Sequence, residues 1–129
     1  MEKDLDSYEN IKLMVDTFYG KIQEDTLLGP IFNGIIQENW PAHLKKMYGF
    51  WQTILLEVRA YSGSPFNPHA KLPVKKEHFD RWLLLFNTTV DENFKGEKAT
   101  EAKWRAKKMA EMFHFKIEYY KTSTAKPII

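Results

Sequence analysis

Apolar side chains recur every three or four residues through four long segments of the chain, a pattern typical of amphipathic α helices. The first segment covers residues 7–24, and Asp6 or Ser7 is suited to cap its start. Its apolar stripe consists of Tyr8, Ile11, Met14, Val15, Phe18, Tyr19 and Ile22. A Gly-Pro turn at 29–30 follows, and an Ile-Phe pair at 31–32 then adds a short apolar plug.

Three further stripes predict three further helices. The second helix is expected to begin with Asn39 as its cap and Pro41 in its first turn, and to end near Ala60. Its stripe consists of Trp40, Leu44, Met47, Trp51, Ile54, Leu55 and Val58. The third stripe consists of Phe79, Trp82, Leu83, Phe86, Val90 and Phe94, and the fourth of Ala102, Ala106, Met109, Ala110, Phe113, Ile117 and Tyr120. Lys95-Gly96 is predicted to close the third helix as a glycine C-cap.

The chain has no strand-like alternation of useful length, so the predicted fold class is all-α. We expect one domain over residues 1–129, with its core in about residues 8–120 and flexible tails at both ends. Periodicity does not give the angles between helices. A plain four-helix bundle and a globin-type sandwich therefore both fit this pattern.

Composition narrows the classes of function. There are 19 basic and 17 acidic residues, a formal net charge of +2, which gives no electrostatic argument for nucleic acid. The absence of cysteine removes disulfides, thiolate catalysis and zinc-thiolate sites, and fits a cytoplasmic protein. The polar start does not resemble a secretory signal, and no apolar run is long enough for a membrane span.

The segment 61–73 between the second and third stripes is the one long stretch without helical periodicity. Such a length is usually a binding loop or disorder, and three prolines stiffen this one. It carries His69. An imidazole held on a stiff loop beside aromatic helices is what an axial haem ligand requires.

Three polar side-chain tips occur on the apolar stripes of three different helices: Tyr19, His43 and Trp82. Each alone is best explained as an amphipathic residue at the edge of the core. Together, opposite a loop histidine, they predict a pocket lined with hydrogen-bond donors. The two other histidines, His78 and His114, are interpreted from their positions as structural.

Other catalytic signatures are missing from the sequence. It has no zinc-binding helix motif, no glycine-rich phosphate loop and no serine in a nucleophile elbow. The basic residues near the start of the fourth helix alternate with glutamates, as on a solvated face.

The chain resembles a truncated haemoglobin of the third group over about residues 8–120. The matching segments are Phe18-Tyr19, Leu28-Gly29-Pro30-Ile31-Phe32, His43 with Gly49-Phe50-Trp51, His69 with Leu72-Pro73, and Glu77-His78-Phe79-Asp80-Arg81-Trp82-Leu83-Leu84-Leu85-Phe86. The resemblance implies a two-over-two helical sandwich around haem b. It further implies that His69 is the proximal iron ligand and that Tyr19, His43 and Trp82 are the distal polar residues.

The resemblance also implies which side chains contact the cofactor. They are Phe18, Phe32, Lys46, Met47, Phe50, Trp51, Leu72, His78, Phe79 and Phe86. For the haem propionates, Lys46, Lys71 and Lys75 are the candidates.

The expected function is binding of dioxygen, nitric oxide, carbon monoxide or a similar small ligand at a five-coordinate iron. Three distal donors would slow oxygen release, which favours redox or detoxification chemistry on nitric oxide or peroxide over bulk oxygen transport. Such turnover needs a reductase that the sequence does not identify, so the sequence does not decide whether the protein is an enzyme. It also does not decide whether His43 coordinates the iron as a sixth ligand. We expect a monomer. The alternative is a cofactor-free helical interaction or sensor module.

Overall fold

The computed structural model describes residues 3–61 and 74–125, with the side chains up to residue 119. These residues form five α-helices: α1 (Tyr8–Glu24), α2 (Gly29–Ile36), α3 (Trp40–Leu56), α4 (Lys76–Asn93) and α5 (Glu97–Ala125). A short 3-10 helix, Gln37–Asn39, joins α2 to α3. Within the described ranges the only β-type pairing is one isolated bridge between Lys3 and Phe94. The all-α prediction is confirmed.

Two helix pairs make up the architecture. Helix α1 packs on α3, α4 packs on α5, and α1 also packs on α4, which joins the two pairs into a two-over-two arrangement. The α1 stripe lies at the centre of the core, with Ile11, Met14 and Ile22 fully buried. Tyr8, which the periodicity included in this stripe, is instead 41% exposed and contacts the ring of Tyr48 edge-on.

Helix boundaries follow the prediction where a capping side chain marks them. The hydroxyl of Ser7 accepts the backbone N–H of Asn10, which caps α1 as expected. Helix α3 ends at Leu56, four residues before the predicted end, because Glu57 takes a left-handed conformation with φ of 59°. Val58 is therefore outside the helix and exposed.

The apolar plug at residues 31–32 belongs to a helix of its own, α2, which the periodicity did not predict. Eight residues are too few to show a helical period. The sequence predicts a turn at Gly29-Pro30, but Pro30 lies in the first turn of α2, where its missing N–H costs no hydrogen bond.

Gly49 allows the chain to fold back against α3 after that helix ends. A Cβ atom at this position would lie 2.5 Å from the carbonyl oxygen of Ala60, so only glycine permits so close a backbone approach. The Thr53 hydroxyl accepts the N–H of Ala60 at 3.1 Å and donates to the carbonyl of Gly49. These contacts bring the next residue, Tyr61, edge-on to the ring of Phe50.

The connection between α4 and α5 differs from the predicted glycine C-cap. Helix α4 ends at Asn93 with Phe94 in an extended conformation, and Gly96 follows with φ of 139°. A Cβ atom on Gly96 would lie 2.5 Å from the carboxyl carbon of Asp4. That carboxylate accepts the N–H groups of Lys98 and Ala99, so a residue from the start of the chain caps α5.

An ion pair with a buried carboxylate joins the corner between α1 and α2 to helix α4. The carboxylate of Asp25 accepts the N–H groups of Leu27 and Leu28 and the Nε–H of Arg81. The Asp25 side chain is 2% exposed, whereas that of Arg81 is 41% exposed. Burial alone would raise the pKa of Asp25, but the hydrogen bonds from Arg81, Leu28 and Leu27 lower it below its usual value.

Asp25→Asn is therefore expected to lower the free energy of unfolding by about 1 to 3 kcal/mol at pH 7, because a hydrogen-bonded charge is lost. Since the pKa of the folded state is lowered, this contribution is present above the ordinary carboxyl pKa and is lost as the pH falls through the folded value. Urea unfolding of both proteins at pH 7, 5 and 3.5 measures it. The matched control is Asp80→Asn, because Asp80 pairs with Lys76 on the exposed surface and is expected to contribute below about 0.5 kcal/mol. Equal losses in the two variants would contradict the role of Asp25.

None of the helices in the described ranges combines the length and the apolar character that crossing a membrane requires.

Candidate functional site

A cavity of about 270 Å³ opens between the five helices. Its walls are mostly aromatic and aliphatic. The lining residues are Tyr19, Leu28, Ile31, Phe32, Ile35, Ile36, His43, Lys46, Met47, Phe50, Trp51, Tyr61, Val74, His78, Phe79, Trp82, Met109, Ala110 and Phe113.

Three helices bring the polar tips predicted from the sequence to this one cavity. Tyr19 comes from α1, His43 from α3 and Trp82 from α4, and all three line it. The rings of Tyr19 and His43 meet edge-to-face, with centroids 5.1 Å apart. Their convergence makes a donor-bearing patch in an otherwise apolar wall.

Tyr19 is the most deeply buried of these polar residues, at 6% exposure. Burial raises the pKa of its phenol well above the usual value, because the charged phenolate would lose its hydration. The group therefore remains a neutral O–H donor at physiological pH. In the same wall, the Nε2 atom of His43 is shielded from solvent.

A second aromatic layer lies behind the cavity wall. Phe86 stacks between Trp51 and Trp82, at centroid distances of 5.1 and 5.6 Å. Phe18 packs edge-on against both Trp82 and Phe86. Phe18 and Phe86 are completely buried and do not line the cavity, although both were expected to contact the cofactor. The structure places them one layer behind, where they fix the orientation of the indole of Trp82.

His78 lies on another wall of the cavity, next to Phe79 at the start of α4. Its Nδ1 atom accepts the backbone N–H of Lys75 at 2.9 Å. A nitrogen that accepts a hydrogen bond carries no proton, so the neutral ring carries its proton on Nε2. His78 thus combines a structural contact at the start of α4 with a position on the cavity wall.

The residues expected on the loop lie outside the described ranges. They are His69, Lys71 and Leu72. Val74, the first residue of the second described range, is buried and lines the cavity. Of the other two lysines considered for the propionates, Lys46 lines the cavity with an exposed side chain, and Lys75 does not line it.

Several lining residues were missed by the sequence interpretation. Met109, Ala110 and Phe113 belong to the predicted α5 stripe, but they were interpreted as core alone. Periodicity shows that a position faces inward. It does not distinguish the core from the wall of a cavity. Tyr61 adds a second phenol to the lining, and no sequence signal pointed to it.

The lining suits a flat apolar group with anionic edges. Phe32, Met47, Phe50, Trp51 and Phe79, which the family resemblance assigns to the cofactor, provide apolar walls of this cavity. Lys46 offers a cation to an acidic substituent, and the Nε2–H of His78 offers a donor. Iron porphyrin has this combination of a planar apolar ring and two carboxylates, so the residues present fit a haem.

Comparison with known proteins agrees with this geometry. A model of the family described as bacterial-like globin matches residues 4–117. The group 3 truncated hemoglobin ctb of Campylobacter jejuni is 35% identical over 117 residues, covering 88% of this chain and 91% of that protein. The crystal structure of the group III truncated hemoglobin from Campylobacter jejuni superposes with a TM-score of 0.83 at 32% identity, covering 91% of this chain and 95% of that one.

Proposed function

Because the chain belongs to the bacterial-like globin family, as a truncated haemoglobin of the third group, we propose that its cavity holds haem b and binds dioxygen and other diatomic ligands. Membership in a globin family supports haem-based ligand binding in general. The convergence of Tyr19, His43 and Trp82 in one apolar cavity is the observation that carries the finer proposal.

Each part of the lining has a role in this proposal. His69 is assigned to the iron from the resemblance to the family. Bound haem supplies an iron atom with a further coordination position for a small ligand. Phe32, Met47, Phe50, Trp51 and Phe79 enclose the porphyrin, and Lys46 pairs with a propionate.

The donor-bearing patch formed by Tyr19, His43 and Trp82 sets the rate at which a bound ligand dissociates. The phenol of Tyr19 and the indole of Trp82 donate hydrogen bonds to a ligand that gains negative charge when it binds, and His43 is placed to add a third. Such bonds are stronger in an apolar cavity than in water. We therefore expect tight oxygen binding, which suits redox or detoxification chemistry on nitric oxide or peroxide better than bulk transport. Turnover of this kind requires electrons from a reductase.

A spectroscopic titration tests the proposal. Purified protein is titrated with hemin, reduced, and exposed to carbon monoxide. We expect a Soret band that saturates at one haem per chain and that shifts on reduction and again with carbon monoxide. If no stoichiometric band forms, the haem proposal is wrong and a cofactor-free interaction or sensor module becomes the better explanation.

A further inference from the structure

Three rings are in mutual contact at one edge of the cavity. The imidazole of His43 is edge-on to Tyr19 at 5.1 Å and to Trp40 at 5.6 Å, with interplanar angles of 89° and 85°. Trp40 and Tyr19 also touch, at 5.9 Å. The imidazole thus has one aromatic neighbour that lines the cavity and one, Trp40, that lies outside the lining.

Trp40 is itself held by a chain of hydrogen bonds. Its indole Nε1–H donates to Oδ1 of Asn33 at 3.1 Å, and the amide of Asn33 donates to the backbone carbonyl of Gln23 at 3.2 Å. This chain connects the first residue of α3 to α2 and to the last turn of α1. The orientation of Trp40 is therefore set by three helices at once, although Trp40 does not line the cavity.

We propose that Trp40 is a positioning residue that holds His43 against Tyr19 and so prevents His43 from coordinating the haem iron itself. This inference rests on the proposed function, because it concerns the coordination state of a bound haem. With His43 held in place, the imidazole remains a hydrogen-bonding group, and the free position on the iron stays open to a small ligand.

The packing of the three rings favours the observed orientation of His43 over one in which it coordinates the iron. An imidazole that moved toward the iron would give up its edge-to-face contacts with Trp40 and Tyr19. Contacts of this geometry favour the packed orientation by about two- to tenfold each. The two together restrict the population of His43 that is free to bind the metal, and removal of Trp40 eliminates one contact and the fixed boundary behind the ring.

The test is the absorption spectrum of the haem-loaded protein with Trp40→Ala. We expect the six-coordinate, low-spin fraction to rise by about two- to tenfold relative to the wild type, and carbon monoxide to bind more slowly because His43 must first leave. Trp40→Ala combined with His43→Leu is expected to restore the five-coordinate spectrum. Trp104→Ala, a tryptophan exposed on α5, is the matched control and is expected to leave the spectrum unchanged.

Asn33→Leu is the milder variant, which keeps the Trp40 ring and removes the hydrogen bond that orients it. It is expected to shift the same spectrum in the same direction by a smaller amount, and it serves if Trp40→Ala fails to fold. Spectra of both variants identical to the wild type would overturn the inference. So would a wild-type protein already coordinated by His43, or a six-coordinate signal that survives His43→Leu. Absence of a haem band in the wild type would instead refute the proposed function.

Discussion

His69→Gly is expected to abolish stable coordination of haem and to lower the melting temperature of the haem-loaded protein by about 10 °C or more. A ligand that binds only the folded state stabilises it by about 4 kcal/mol when present at a thousand times its dissociation constant. For a domain of this size, losing about 4 kcal/mol of stabilisation lowers the melting temperature by about 10 °C or more. Thermal melts followed by circular dichroism, with and without hemin, measure it.

Free imidazole provides a second measurement on the same variant. In the His69→Gly protein, added imidazole is expected to restore the five-coordinate spectrum of the reduced form. Free imidazole can occupy the position of the missing side chain although it is not covalently bonded to the protein. His114→Ala is the control, because His114 lies on α5 against the ring of Phe79 and does not line the cavity. A His69→Gly protein with the wild-type Soret band and melting temperature would contradict the proximal assignment and favour the cofactor-free alternative.

A helix could be predicted well where the residues that determine its position and its ends lie within its own sequence. Helix α1 has six buried residues at helical spacing and a serine cap, so its position could be predicted from its own sequence. The end of α3 depends on the left-handed conformation of Glu57, which nothing in the local pattern required. The cap of α5 by Asp4 joins residues more than ninety positions apart, and such a contact is visible only after the chain has folded.

The candidate site likewise has parts that could be predicted from the local sequence and parts that could not. Tyr19 and Phe18 are neighbours on one buried stripe, but a turn of about 100° separates consecutive side chains of a helix. One of them consequently lines the cavity and the other packs behind it. Hydrophobicity is similar for the two positions, so the sequence pattern alone did not separate a cofactor contact from its support. The hydroxyl of Tyr19 marked it as a candidate, whereas the expected contact of Phe18 came from the family resemblance, and the packing places Phe18 behind the wall.

Tyr19→Phe is expected to speed the release of dioxygen by about tenfold or more. The substitution removes one hydroxyl and keeps the ring that packs against Phe18, His43 and Phe32. A hydrogen bond to a charged partner contributes about 1.5 to 3 kcal/mol, and 1.4 kcal/mol corresponds to a factor of ten. Stopped-flow displacement of dioxygen by carbon monoxide measures the release rate directly.

Two features make this measurement specific to the cavity. Tyr8→Phe is the same chemical change on the same helix, but Tyr8 is exposed and outside the lining, so its release rate is expected to match the wild type. Because burial raises the pKa of Tyr19, its hydroxyl remains protonated, and the ratio of the Tyr19→Phe rate to the wild-type rate is expected to be constant between pH 6 and 9. An unchanged rate in Tyr19→Phe would show that the phenol does not donate to the ligand. A rate ratio that fell toward one at alkaline pH would instead mean that the phenol ionises there, contrary to its burial in the wall.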